Sequence, residues 1–499
     1  MIHDNEQLEI QAQELLARNK GKQLVNKERL AIPMQEMPTQ KAEERVLNMS
    51  EVALGYSQAQ VQVEAFRCLQ CANAPCVKGC PVRIDIPRFI AKAAEGDYAG
   101  SVAVIKESSM LPSICGRVCP QESQCQEFCT VGRALKTVDK AVSIGRIERY
   151  VADWESVHGQ RSIPDIAAPT GHKVGVVGSG PASMTAAADL RRAGHEVVMF
   201  EALHKAGGVL VYGIPEFRLP KRIVQDELDT LLSMGVHIER NFLVGRTAKL
   251  TDLMEREGFD ALFIGSGAGL PKFLDIDGEN LIGVFSANEY LTRSNLMKAY
   301  DRNKAGTPLY GSHKVAVFGG GNVAMDAART ARRLGAEEVS IIYRRTEDEM
   351  PARKEEVGHA KEEGVRFLYL HAPTRILGDE KGRVAKVELI SCVLGEPDAS
   401  GRRSPVEIPG SEAMYDFDTV IVAIGNASNP LIEKTTKGLD VNRRGNIIVN
   451  EDTCATSMKG VYAGGDIVLG AATVILAMGQ GRKAAKAMNE YLETLGEDG

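Results

Sequence analysis

Aromatic residues make up only 5% of this 499-residue chain, and a single tryptophan is among them. Proteins that grip single-stranded nucleic acid lean on aromatic stacking platforms, which are scarce here. Net charge is -6, so there is no surplus of cations to meet a phosphate backbone. Nucleic acid is therefore excluded as an expected partner. No run reaches the ~18 apolar residues of a membrane span. The polar, helix-patterned start MIHDNEQLEIQAQELL lacks the apolar core of a secretory leader. These absences predict a cytoplasmic protein with no membrane contact, where structural disulfides are rare. Cysteine is nearly missing from most of the chain: outside residues 68–129 only Cys392 and Cys454 occur. Apolar content of 44% and charged content of 25% are ordinary for a globular protein. The length corresponds to about three domains of roughly 150 residues, which need no disulfide staples.

What is present is concentrated. Eight of the ten cysteines fall in two groups, Cys68-x2-Cys71-x4-Cys76-x3-Cys80-Pro81 and Cys115-x3-Cys119-Pro120-x4-Cys125-x3-Cys129. Thiolates are soft ligands suited to zinc or to iron–sulfur clusters. Structural zinc uses paired Cys-x2-4-Cys knuckles, and only one x2 pair occurs here. Staggered runs carrying Cys-Pro resemble those of bacterial ferredoxins, in which the last cysteine serves the other cluster. The spacing favours two [4Fe–4S] clusters, with zinc second and disulfides third. Residues 1–165 read as one helical unit, with helical stretches such as 86–107 between its cysteine loops. Residues 156–171 read as a linker by composition.

Beyond the linker the texture changes. HKVGVVGSG reads as a buried strand running into a glycine turn, PASMTAAADLRRAG as a helix and HEVVMFE as a second strand. The order repeats at 313–345, in HKVAVFGGG, NVAMDAARTARRLG and EEVSIIYRR. Two βαβ units with glycine turns predict two nucleotide cradles. In the first, Gly178, Ser179, Gly180, Pro181, Ala182 and Ser183 bring backbone N–H groups and a helix N-terminus to a pyrophosphate. Ser183 replaces the third glycine of the usual fingerprint. Glu201 ends the second strand, where a carboxylate binds a ribose hydroxyl. In the second cradle, Gly320, Gly321, Asn322, Val323 and Ala324 follow Gly319, and the second strand runs into Arg344 and Arg345. Arginine in place of an acid fits the 2′-phosphate of NADP(H). A third element, Gly464-Gly465-Asp466 and Ala471-Ala472-Thr473, suggests that the first nucleotide domain resumes after an insertion. GSGAG at 265–269 and AIGN at 423–426 would mark the crossovers.

The two cysteine groups, GSGPAS, GGVLVYGIPEFRLPK, GGGNVAMD, YRRTEDEMPARKEEV and AGGDIVLGAATV resemble one NADPH-dependent flavin and iron–sulfur module. That family comprises the small subunit of NADPH-dependent glutamate synthase, the large subunit of electron-bifurcating ferredoxin-dependent NADH/NADP transhydrogenases (Nfn type) and the N-terminal part of dihydropyrimidine dehydrogenase. The resemblance spans residues 47–492. CGRVCPQESQC and EMPARKEEVGHAKEEGV look closest to the transhydrogenase branch.

The resemblance implies an α/β architecture: an N-terminal α-helical domain with two [4Fe–4S] clusters (1–165), then two Rossmann-like nucleotide-binding domains. The NADP(H) domain (283–425) is inserted in the FAD domain (166–282 and 426–499). It implies that Cys68, Cys71, Cys76 and Cys129 hold one cluster. Cys80, Cys119, Cys125 and the carboxylate of Glu148, in SIGRIERY, hold the other, leaving Cys115 as a buried non-ligand. FAD is expected against Gly178 to Ser183, Glu201, Gly208, Arg218, Gly465, Asp466, Thr473 and Val474. NADP(H) is expected against Gly320 to Ala324, Arg344 and Arg345. No cysteine pair follows Gly207-Gly208, which argues against a dithiol reductase. The implied activity is an NADP(H)-dependent oxidoreductase subunit whose chemistry resides in its cofactors, with no side-chain acid, base or nucleophile. It needs a partner: a second flavin and iron–sulfur subunit, with ferredoxin as a further partner, in the bifurcating branch, or the glutamate synthase large subunit. A zinc interaction module fused to a simple NADPH flavoprotein is the alternative from another class.

Overall fold

The computed structural model describes residues 4–159, 163–301, 303, 305–307, 309, 311–398 and 401–497. The N-terminal part is helical, as its sequence texture predicts. Helices begin where side chains cap free N–H groups: Ser57 and Gln60 form a capping box on Gln58–Phe66, Asp85 caps Ile86–Glu95, and Asp97 caps Tyr98–Lys106. The stretch read as linker is entered late, because helix Ile144–His158 continues through its first residues. Residues 160–162 lie outside the described ones.

Helix Ile144–His158 crosses Pro112–Val118 with backbones nearly touching. The crossing depends on Gly116, where an added Cβ would sit 2.6 Å from the Arg149 nitrogen and 2.8 Å from its Cα. The obstacle is backbone, so the helices themselves must part. Gly116→Ala should therefore cost about 1–3 kcal/mol, as overpacking does. A lower urea midpoint for loss of the cysteine-bound chromophore would register it, and an unchanged midpoint would refute the crossing. On the far side of the same helix Trp154 stacks on His158, with ring centroids 5.1 Å apart, and leans on Tyr98 at 5.8 Å.

Two five-stranded parallel sheets follow, with the same arrangement around the central strand but an edge strand that comes last along the chain in the first and first in the second. The first runs Val461–Ala463, Ala261–Ile264, Lys173–Val177, Glu196–Glu201, His237–Arg240. The second runs Val284–Ser286, Thr419–Val422, Lys314–Phe318, Glu338–Tyr343, Arg366–Tyr369. In each the glycine turn leaves the central strand, whose last four residues are buried on both faces. All strands of the second sheet fall between the last two strands of the first, which is the nesting expected from the sequence. The two passages of the chain, Leu270–Pro271 and Asn426–Ala427, pair antiparallel beside the expected crossover points.

The sequence reading does not foresee one element. His371–Gly378, Val384–Pro397, Arg403–Glu407 and Ala413–Asp416 form a separate antiparallel sheet within the inserted unit. The apolar cores also divide. One core joins the N-terminal helices to the first nucleotide unit and to helix Val474–Glu497. The second unit keeps its own, built from residues between Ala287 and Ile421.

Candidate functional site

Cys68, Cys71, Cys76 and Cys129 line one recess of about 350 Å³, closed by apolar neighbours such as Ile90 and Val142. Cys129 arrives from the start of Thr130–Ala134, and the other three come from the loop around Pro75–Lys78. That loop is tightly wound: Gln70, Ala74 and Arg83 take φ of 50°, 31° and 59°. Such conformations persist where surroundings enforce them, often at ligand sites. Gln70 Nε2 donates to Cys68 Sγ at 3.4 Å, and Cys71 Sγ lies 3.2 Å from Thr130 Oγ1. Burial pushes the Cys68 thiol up to about 11 and that of Cys76 up to about 12, and neighbouring thiolates add to it. A bound cationic centre reverses that effect. Among the described residues no three His, Cys, Asp or Glu side chains converge as a single metal ion requires. Thiols ringed around a recess suit a polynuclear cluster better than zinc, whose sulfur ligands lie about 2.3 Å from one point.

The helix crossing at Gly116 sets Glu148 beside the second thiol group. Burial raises the Cys80 and Cys125 thiols, and a hydrogen bond with Cys119 raises that of Cys115. In all three the Glu148 charge adds to the shift. Glu148 is 6% exposed, its Oε1 has no hydrogen-bond partner, and burial alone lifts its carboxyl to about 8. An orphaned carboxylate oxygen in such a place is costly unless a cation completes it. Cys115 is buried too, but its Sγ lies 3.5 Å from Met478 Sδ on the C-terminal helix. The residues present thus fit a cluster with one oxygen ligand. The two thiol groups adjoin, since Cys76 also acts on Cys125.

At the first glycine turn, Ser179 Oγ donates to Glu201 Oε2 and accepts from Gly207 N at 2.9 Å. Leu203 N donates to Glu201 Oε1 at 2.8 Å. These contacts aim the carboxylate and leave it further lone pairs. Gly208 has φ 54°, and a Cβ there would lie 2.9 Å from Gly180 Cα, so the two loops meet as bare backbone. Space beside Gly180 is open. Ser183 is fully buried and its hydroxyl donates to Gly265 O at 3.3 Å, so it packs helix on sheet behind the turn. Asp466 accepts from Ala472 N at 3.2 Å, and burial lifts its carboxyl to about 6. Arg218, expected at the flavin, instead reaches the second unit. It grips Asp326 at 2.8 and 2.9 Å and Glu356 at 3.1 Å.

The second turn is a matching cradle. Gly321 precedes helix Asn322–Arg333, Ala324 is fully buried against the sheet, and Asn322 Oδ1 accepts from Arg353 N at 2.9 Å. The two candidate arginines part company. Arg344 is exposed at the strand end. Arg345 is 6% exposed, donating from Nη2 to Asp398 at 2.7 Å and from Nε to Arg403 O at 2.6 Å. It ties the antiparallel sheet to the cradle and is not free to meet a phosphate. Sequence reading missed the partners Asp326, Glu356 and Asp398. The first two stand within quoted motifs, but nothing local marks them as ion-paired.

Comparison with known proteins agrees with this construction. Residues 45–160 match the family model described as dihydropyrimidine dehydrogenase domain II, 4Fe-4S cluster. Residues 172–487 match pyridine nucleotide-disulphide oxidoreductase. The glutamate synthase [NADPH] small chain of Escherichia coli K12 is 35% identical over 457 residues, covering 90% of this chain and 95% of that one. Its Azospirillum brasilense counterpart is 36% identical over 470 residues, covering 93% and 96%. The NADP(+)-dependent formate dehydrogenase subunit beta of Moorella thermoacetica is 39% identical over 443 residues. The match takes in 84% of this chain but only 60% of that longer protein. Mycobacterium tuberculosis FprA in complex with NADPH superposes with a TM-score of 0.56 at 20% identity, over 66% of this chain and 86% of that one, a likeness of fold. No helix among the described residues is long and apolar enough to cross a membrane. The chain belongs to the family of NADPH-dependent iron–sulfur flavoproteins that contains the glutamate synthase small chains, and it is an oxidoreductase that uses FAD, NADP(H) and [4Fe–4S] clusters.

Proposed function

We propose that this chain is the NADPH-oxidising subunit of a larger complex and passes single electrons to a partner through two [4Fe–4S] clusters. Bound FAD supplies the exchange between a two-electron hydride and single electrons. The protein's work is placement. The turn from Gly178 to Ala182, Pro181 excepted, presents N–H groups to the FAD pyrophosphate, Glu201 takes its ribose, and Gly208, Gly465, Asp466, Thr473 and Val474 border the rest. Gly320 to Val323 hold the NADP(H) pyrophosphate, and Arg344 takes the 2′-phosphate.

One observation carries the reading. Helix Val474–Glu497 opens at the flavin cradle, and its first two turns lie against the segments that bear the second thiol group. Thr473 accepts from Gln124 at 3.2 Å, Met478 meets Cys115, and the Pro81 backbone lies so close to Gly479 that an added Cβ would stand 3.2 Å away. The Glu148 group is thus the first stop for an electron leaving the flavin, and the Cys68 group is the second. Anaerobically purified protein should hold about eight irons and eight sulfides per chain. Stoichiometric zinc without sulfide would return the site to the zinc module.

The motifs CGRVCPQESQC and EMPARKEEVGHAKEEGV support a bifurcating transhydrogenase, coupling NADPH oxidation to reduction of ferredoxin and NAD through a second subunit. A second reading, the glutamate synthase small chain, draws support from the near-complete coverage of those relatives. Purification from the native source with the partner attached separates them. Turnover with ferredoxin and NAD together supports the first, and turnover with glutamine plus 2-oxoglutarate replaces it by the second.

A further inference from the structure

We infer that Arg45 is a positioning residue for hydride transfer: it fastens the NADP(H) unit to the N-terminal domain and so sets where the nicotinamide meets the flavin. The inference rests on the reading that the second glycine turn holds NADP(H). Apolar packing contributes little to this placement: the second unit keeps a core of its own, and of its buried apolar residues Leu296 alone joins the core of the flavin unit. Where the units meet there is instead a recess of about 500 Å³ lined by charged side chains, among them Arg146, Arg218, Arg353 and Glu355. Polar interfaces between domains leave relative motion as the default. Orientation then rests on polar contacts: Asn295 Nδ2 donates to Tyr212 O and Gly213 O at 3.2 Å, and ion pairs supply the rest.

Arg45 makes the longest-range of these. It is 1% exposed, and its Nε donates to Glu363 Oε1 at 2.7 Å while Nη2 donates to Glu362 Oε2 at 2.7 Å and to His359 O at 3.3 Å. Glu363 also accepts from Arg329 and Arg333, at 2.6 to 3.1 Å. Those two guanidinium groups lie 4.7 and 4.0 Å from the ring centroid of Phe217, which belongs to the flavin unit. The loop that carries Arg45 is closed on itself by Gln40 N to Val52 O at 2.9 Å and Leu54 N to Pro38 O at 2.7 Å. Its other end is pinned by Val52 N to Phe217 O at 2.9 Å. One short loop thus joins all three units around a single buried carboxylate. Hydride transfer requires reacting atoms about 3–3.5 Å apart, and a displacement near 1 Å costs on the order of 100-fold.

The test uses the full chain with its flavin and clusters loaded and counted. In Arg45→Met the rate of flavin reduction by NADPH, followed by stopped flow, should fall about 10- to 100-fold. The NADPH dissociation constant, measured by titration, should stay within about two-fold of wild type, because the pyrophosphate and 2′-phosphate contacts are intact. Amide hydrogen exchange should rise in residues 40–54 and in helix Lys354–Glu362. Arg45→Lys should recover part of the rate, since one ammonium replaces a two-pronged fork. An unchanged rate would overturn the inference, and so would a rate loss matched by an equal loss of NADPH affinity. Should Arg45→Met fail to fold, Glu362→Ala removes one prong at a carboxylate that is 38% exposed, and full-speed reduction in that variant overturns it equally. A wild-type chain that neither bound NADPH nor passed hydride to its flavin would instead refute the underlying assignment.

Discussion

Glu148→Ala should strip one cluster of its fourth ligand and leave the other whole. The carboxylate is buried, orphaned and surrounded by thiols, and alanine offers no donor atom in its place. Iron should fall from about eight per chain towards about seven, or to about four if the damaged cluster is lost. The electron paramagnetic resonance signal of the Cys68 cluster should persist. Flavin reduction by NADPH should survive, because it precedes the break, while electron delivery to any acceptor beyond the clusters should collapse. Glu148→Cys should restore iron with a shifted potential, thiolate replacing carboxylate. Cys115→Ser should keep both clusters, since that thiol packs between Met478 and Cys119 and serine replaces it with little change of shape. Loss of a cluster in Cys115→Ser with full retention in Glu148→Ala would show that the site is ligated by cysteine alone.

Arg344→Ala should lower kcat/KM for NADPH by about 10- to 100-fold and leave NADH nearly untouched. A hydrogen bond to a charged phosphate contributes roughly 1.5–3 kcal/mol, and about 1.4 kcal/mol is tenfold. Arg345→Ala should behave differently. Its guanidinium is held by Asp398 and the Arg403 carbonyl, so removing it unties the antiparallel sheet from the cradle. The expected result is a loss of stability of about 1–3 kcal/mol, from unmade buried hydrogen bonds, with the NADPH-to-NADH ratio preserved. A ratio that collapsed in Arg345→Ala and held in Arg344→Ala would reverse the assignment.

Much of this molecule was readable because its chemistry sits in local strings. The two glycine turns, the nesting of one unit in the other and the return at Gly464-Gly465-Asp466 each announce themselves within a dozen residues. The cysteine spacing pointed to clusters over zinc for the same reason. What stayed hidden depends on distance along the chain. Arg45 and Glu363 are 318 positions apart. Arg345 looked equal to Arg344 because its captor, Asp398, arrives from a sheet that no periodicity foretold. Glu148 could not be told from a surface carboxylate by pattern, since its burial is created by the crossing at Gly116. Only the family resemblance singled it out.

Trp154 gives this architecture a built-in optical label. It is the chain's one indole, and it rides the helix that carries Glu148, six residues further on and so about 9 Å along the axis. Emission excited in the indole band therefore reports on the N-terminal domain and leaves both sheet-bearing units dark. An iron–sulfur chromophore seated at Glu148 lies close enough to quench it, so loading can be watched as the dimming of a single residue. In a denaturant series, fluorescence follows the cluster domain alone while far-ultraviolet circular dichroism sums the helices of every unit. Any gap between the two midpoints measures how independently those parts come apart.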